Sequence, residues 1–312
     1  MSDWPWKTPE ATRAALAQLV ASAFPEEQRP VRMREVAYRR LLARLFAARP
    51  TGWLVKGGVS LILRLDPNRT SNDVDVSFVG QAAGHAIAIE ALRADAATDL
   101  GDFFTFVVGE GSEAHRPDGD HASLAVPVVA RLGAKEWARF SVDLHLPEVE
   151  LPAEELASQT PLTGRDAVDQ VPGAVALALP QQIADKVCAV HEVHGVEGAP
   201  SSRARDLADL ALIAAQVGGL DGAELVRRTA DEAQRRRARG TLPAGLPMAL
   251  TLVTAQEDDW RSRWPKVARG APLGFDDALT VARAFVDPVL DGSATGGIWD
   301  PNLGWTRSGS RS

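Results

Sequence analysis

At 312 residues, 45% hydrophobic and 24% charged, the chain has the composition of a folded globular protein and length for one large domain or two modest ones. Its one cysteine, Cys188, excludes an intramolecular disulfide and a cysteine-rich zinc site, as expected in a reducing cytoplasm. A formal net charge of −7 excludes a general nucleic-acid coat protein, since nonspecific binding is driven by Lys and Arg displacing counterions from phosphates.

A nucleic-acid substrate stays open, because basic residues cluster at Arg39, Arg40 and Arg44 and again at Arg227, Arg228, Arg235, Arg236, Arg237 and Arg239. Each cluster also fits a solvated helix face. The opening MSDWPWKTPE has no basic region followed by an apolar stretch, so no secretory signal is expected. The apolar run over 171–179 is far short of the roughly 20 residues that span a bilayer. These features predict a cytoplasmic protein with no membrane partner.

In chain order, apolar residues recur at helical spacing over 9–24 and 30–48, each stretch with a proline near its start, giving a helical lead-in over residues 1–49. Trp53-Leu54-Val55 reads as a strand, Gly57-Gly58 as a tight break, residues 59–65 as a helix and 66–72 as a polar loop. Residues 73–78 alternate polar and apolar, the pattern of a half-buried strand, and 86–97 read as a helix. Further alternation over 103–108, 122–131 and 139–146 predicts strands, the first two separated by a loop over 109–120 rich in Gly and charge.

Residues 50–165 are thus expected to form an α+β core around a small mixed sheet. Beyond them, helical periodicity over 179–194, 203–217, 222–239 and 275–286 predicts a helical domain spanning 166–291. The tail 292–312 has little periodicity and is expected to be loosely ordered, pinned by Trp299 and Trp305.

Strand side chains alternate, so Asp73 and Asp75 point the same way while Val74 and Val76 face an apolar layer. At about 6 Å and an effective dielectric near 20, two such carboxylates repel by roughly 3 kcal/mol, which a divalent cation relieves. Magnesium suits the task because it binds through one or two carboxylates plus substrate phosphates. In residues 140–145 the same alternation puts Ser141, Asp143 and His145 on one face, so Asp143 is a third metal-ligand candidate for a two-metal phosphoryl-transfer site. Upstream, Gly57 and Gly58 open a helix whose backbone N–H groups suit a triphosphate, with Ser60 nearby. An isolated Asp-x-Asp is equally the mark of a solvated strand; coupling to Gly-Gly across residues 59–72 makes the catalytic reading the stronger one.

The run Val55-Lys56-Gly57-Gly58-Val59-Ser60-Leu61, followed by residues 69–75 (Arg-Thr-Ser-Asn-Asp-Val-Asp), resembles the signature of AbiEii/MenT-type nucleotidyltransferase toxins of the DNA polymerase β superfamily. Residues 180–186 (PQQIADK) are similar to that family's lysine-bearing helix, and 203–210 (RARDLADL) to its Arg and Asp-Leu-x-Asp-Leu motif. The resemblance spans roughly residues 50–215.

It implies a nucleotidyltransferase core completed by the helical domain, with Asp73 and Asp75 as metal ligands and Lys186 as a nucleotide-binding residue. Asp206 would be an acidic active-site residue, and Lys56, Gly57, Gly58, Ser60, Arg69 and Ser71 would line the nucleotide site. The implied activity is magnesium-dependent transfer of a nucleoside monophosphate from a nucleoside triphosphate to the 3′ end of tRNA, with a cognate antitoxin as partner. A protein side chain as acceptor and a non-catalytic nucleotide-binding protein are the alternatives. His145 is expected to be structural and Cys188 a small buried hydrophobe. Phosphorylation of Ser71 would place nearly two negative charges beside the acids.

Overall fold

The structure is a computed structural model describing residues 4–65, 70–79, 84–113, 123–195, 198–242, 244–268 and 273–307. The described residues divide between Leu177 and Ala178 into two compact units. Among them, no helix is long and apolar enough to cross a membrane.

The first unit contains α1 (Pro9–Ala23), α2 (Arg29–Ala48), β1 (Trp53–Val55), α3 (Gly57–Arg64), β2 (Asp73–Phe78), α4 (His85–Ala96) and β3 (Phe104–Val108). It continues through β4 (Ser112–Glu113), β5 (Ser123–Leu132), β6 (Lys135–His145), β7 (Ala153–Glu155), α5 (Asp166–Asp169) and β8 (Val175–Leu177). Eight strands form one mixed sheet in the order β3-β5-β6-β2-β1-β8-β7, with β4 beside β5. β2 runs parallel to β6, and β1 parallel to β8.

One face of this sheet is apolar for the reason the alternation predicts. Val74 and Val76 of β2, Val142 and Leu144 of β6, and Val126 and Val128 of β5 join a core with Tyr38, Leu41, Leu42 and Leu45 of α2 and Leu92 of α4. The first 49 residues are therefore part of this unit: α2 is a core helix, because its apolar side chains cover the sheet.

The position of α2 also changes the reading of its arginines. Arg39, Arg40 and Arg44 are buried and do not form a phosphate-binding patch. Arg39 donates to the Asp169 carbonyl at 2.6 Å and the Thr160 carbonyl at 2.8 Å. Arg40 Nε donates to Asp102 Oδ2 at 2.7 Å, and Arg44 binds both oxygens of the same carboxylate and the Phe104 carbonyl. Charge placed inside a fold has to be paired and hydrogen-bonded. These residues are structural cross-links.

The second unit contains α6 (Leu179–His191), β9 (Val193–His194), β10 (Ala199–Pro200), α7 (Ala204–Gln216), β11 (Leu220–Asp221), α8 (Gly222–Ala238), α9 (Thr254–Val267), α10 (Phe275–Leu290), β12 (Gly297–Asp300) and β13 (Gly304–Arg307). α6 packs on α7 and α8, and α10 on α7 and α8. Asp221 caps α8 by accepting from the Glu224 N–H at 2.9 Å. The α8 arginines are largely committed within the unit: Arg235 and Arg236 each lie 2.6 Å from Glu232, and Arg236 also lies 2.9 Å from Glu192.

The described part of the C-terminal segment is ordered, contrary to the expectation of a loose tail. β11, β12 and β13 form an antiparallel sheet, and Trp299 and Trp305 anchor it by donating to the Ala214 carbonyl at 2.9 Å and the Phe285 carbonyl at 3.0 Å. Indole rings bring large apolar area together with an N–H that must be satisfied on burial.

His191 gives the second unit a pH dependence. Its Nδ1 lies 2.8 Å from the Val187 carbonyl, and burial holds the imidazole below its usual range. The unfolded chain takes up a proton as pH falls through the ordinary value of about 6.5, whereas the folded chain resists it. The stabilising contribution is thus complete above that pH and lost below it. Urea midpoints are expected to fall between about pH 7.5 and 5.5, and His191→Gln to flatten that slope.

Candidate active site

The acids are placed by strand register. β2 and β6 pair Asp73 with Ser141, Asp75 with Asp143 and Ser77 with His145. Direct partners on adjacent strands lie on the same face at a strand spacing of about 4.8 Å, so Asp75 and Asp143 form one rung and Asp73 sits one pleat away. All three are only partly buried, while the valines between them are fully buried. The three candidate metal-ligand acids are thus brought to one patch of one sheet.

Asp73 is held from behind. The Ser71 hydroxyl donates to its Oδ1 at 3.0 Å, and the Tyr38 hydroxyl donates to the Ser71 carbonyl at 3.3 Å. Burial pushes the Tyr38 phenol above its ordinary range, which keeps it a protonated donor. Ser71 is 2% exposed, so its hydroxyl orients Asp73 and is enclosed by the fold rather than presented to a kinase.

The glycine turn meets the acids directly. The Lys56 N–H donates to the Asp75 carbonyl at 3.0 Å, joining the start of α3 to the middle of β2. Gly57 has φ +60°, a backbone state that favours glycine, and a Cβ there would lie 2.0 Å from Asp75 Oδ2. Gly58 is buried in the first turn of α3. Gly57→Ala is expected to cost about 1–2 kcal/mol of backbone strain and to displace the Asp75 carboxylate. Nucleotide incorporation should therefore fall far more than the thermal midpoint measured on the same sample.

Ser60, expected to line a triphosphate, is fully buried, and its hydroxyl accepts from Arg64. Arg64 also donates to Glu154 at 2.6 Å and to the Leu177 carbonyl at 2.8 Å, tying α3 to β7 and β8. Arg69 lies outside the described residues.

Magnesium needs hard oxygen donors, and the patch offers three carboxylates of the required kind. Among the described residues, no three His, Cys, Asp or Glu side chains converge into a ready-made metal cage. That is compatible with an ion whose remaining ligands come from substrate phosphates and water, and the residues fit the group on donor chemistry.

In the second unit, Lys186 on α6 is clamped by two acids of α7, with Nζ 2.7 Å from Asp206 Oδ1 and 2.6 Å from Asp209 Oδ2. Arg203 lies 3.8 Å from Asp206. The Asp206-x-x-Asp209 spacing puts both carboxylates on one helix face; the sequence reading named Asp206 alone and missed the equal part played by Asp209. Cys188 is fully buried beside α8, and burial raises its thiol above the usual range, as fits a packing residue.

With this geometry in place, similarity to known proteins becomes informative. Residues 40–281 match the nucleotidyl transferase AbiEii toxin family of type IV toxin–antitoxin systems. Among solved structures, MenT4, a nucleotidyltransferase toxin from Mycobacterium tuberculosis H37Rv, superposes with a TM-score of 0.53 at 19% identity, covering 87% of this chain and 93% of that one. Among curated protein sequences, none is significantly similar. The α+β architecture is thus that of a nucleotidyltransferase, and the matched span covers both the acid-bearing strands and the lysine clamp. The chain belongs to the AbiEii nucleotidyltransferase toxin family of type IV toxin–antitoxin systems.

Proposed function

We propose that this enzyme transfers a nucleoside monophosphate from a nucleoside triphosphate to the 3′ end of tRNA, releases pyrophosphate, depends on magnesium, and is countered by a cognate antitoxin. The observation that carries the reading is the Asp75 and Asp143 rung facing Gly57, with Asp73 beside it.

Asp73, Asp75 and Asp143 would hold magnesium, which when bound supplies positive charge for the triphosphate and acidity for the acceptor hydroxyl. The residues themselves do the positioning. Backbone N–H groups at the start of α3 receive phosphate oxygens, as helix N-termini do. The Ser71 hydroxyl fixes the rotamer of Asp73, and Gly57 leaves the Asp75 carboxylate its space. Lys186 binds the nucleotide through a compact ammonium charge that Asp206 and Asp209 hold in one place.

The test is incubation with each labelled triphosphate, total tRNA and cell extract. Label is expected in tRNA and to be lost in Asp73→Ala. Label confined to protein would replace the acceptor by a protein side chain. Triphosphate binding without pyrophosphate release would make the chain a nucleotide-binding partner only.

A further inference from the structure

The sheet face that carries the acids continues past them. Register across β2, β6 and β5 gives three successive rungs: Asp73, Ser141 and Pro127; Asp75, Asp143 and Ala125; and Ser77, His145 and Ser123. Because direct cross-strand partners share a face, the third rung is a row of two hydroxyls and an imidazole lying next to the carboxylates.

Its two ends are built differently. Ser77 is fully buried, and its Oγ lies 3.3 Å from His145 Nδ1, which fixes the ring. Ser123 is 2% exposed, and its hydroxyl has no hydrogen-bond partner. A buried hydroxyl with nothing to bond is costly, and alanine would fill the same space without that cost. The position therefore has a partner to meet, and the partner belongs on the acid face.

The chemistry of the row selects that partner. A phosphate calls for cations or several N–H donors, which the row lacks, and an apolar group would leave Ser123 unsatisfied. A sugar hydroxyl both donates and accepts, matching serine hydroxyls and an imidazole nitrogen.

We propose that Ser77, His145 and Ser123 form a ribose-hydroxyl subsite beside the acids, with Ser123 as the discriminating contact. The inference rests on the nucleotidyltransferase reading above. Two riboses present this chemistry: that of the incoming nucleotide and the terminal one of an RNA acceptor.

Wild type and Ser123→Ala are to be compared with ribo- and 2′-deoxynucleoside triphosphates, and with acceptor RNAs ending in ribose or 2′-deoxyribose. Wild type is expected to favour ribose by about tenfold in one series, the size of one well-made hydrogen bond. Ser123→Ala should abolish that preference with its thermal midpoint unchanged or raised. The series that responds identifies the ribose. Ratios unchanged by the substitution in both series overturn the subsite, as does a lowered midpoint with unchanged ratios, which marks a purely structural hydroxyl. If wild type incorporates no nucleotide, the enzyme reading has failed separately. Calorimetric titration of both proteins with ribo- and deoxytriphosphates then decides the subsite, and equal affinity ratios overturn it.

Discussion

Replacing Asp75 by Asn is expected to lower nucleotide incorporation by about a thousandfold, the equivalent of roughly 4 kcal/mol of charge stabilisation in the transition state. Asn keeps the shape of Asp and removes only the charge, so the close fit against Gly57 survives. The fold should tolerate the change well, because Asp75 pairs directly with Asp143 and the substitution relieves a like-charge contact. A thermal midpoint equal to or above wild type, together with lost incorporation, separates chemistry from folding. Activity within tenfold of wild type would remove this rung from the site.

The largest stability effect is expected from Asp102→Ala. Asp102 is fully buried, accepts from Arg40 at 2.7 Å and from the Phe104 N–H at 3.0 Å, and binds Arg44 through both oxygens. Burial pushes its carboxyl upward, but hydrogen bonds and charge from Arg44 and Arg40 outweigh that and hold it below the usual carboxylate range. Its removal strands two buried guanidinium groups. Breaking such a cluster costs about 3–5 kcal/mol, a shift on the order of 10 °C for a unit of this size, measurable by calorimetry. The sign with pH follows from the lowered value: the contribution is complete above about pH 4, the unfolded carboxyl's range, and is lost as pH falls through the folded value. Asp102→Ala should therefore flatten the acid limb of the stability curve.

Much of the acid site was legible because two periodicities overlap there. Alternation over 73–78 and 140–145 assigned the faces of Asp73, Asp75 and Asp143, and parallel register then placed Asp75 opposite Asp143. No local signal carries that register, since β2 and β6 are joined through long intervening chain. The α2 arginines were misread because charge alone does not say which way a helix face turns; the carboxylate that draws Arg40 and Arg44 inward lies far along the sequence at Asp102.

Other elements lack the usual marks. β7 and β8 are three residues each, too short to show a period, and α9 is polar with Pro265 inside it. β12 and β13 join through a turn, and their order comes from Trp299 and Trp305 packing against Phe285 of α10. Neither indole announces its destination in the sequence.

The empty volume above Gly57 links two positions that share no bond. A chain that acquires any side chain at 57 surrenders the location of the carboxylate at 75, and a chain that dispenses with that carboxylate no longer requires a bare α-carbon there. Across descendants of this sequence the pair should drift as a unit: kept together where catalysis persists, and released together where it has decayed.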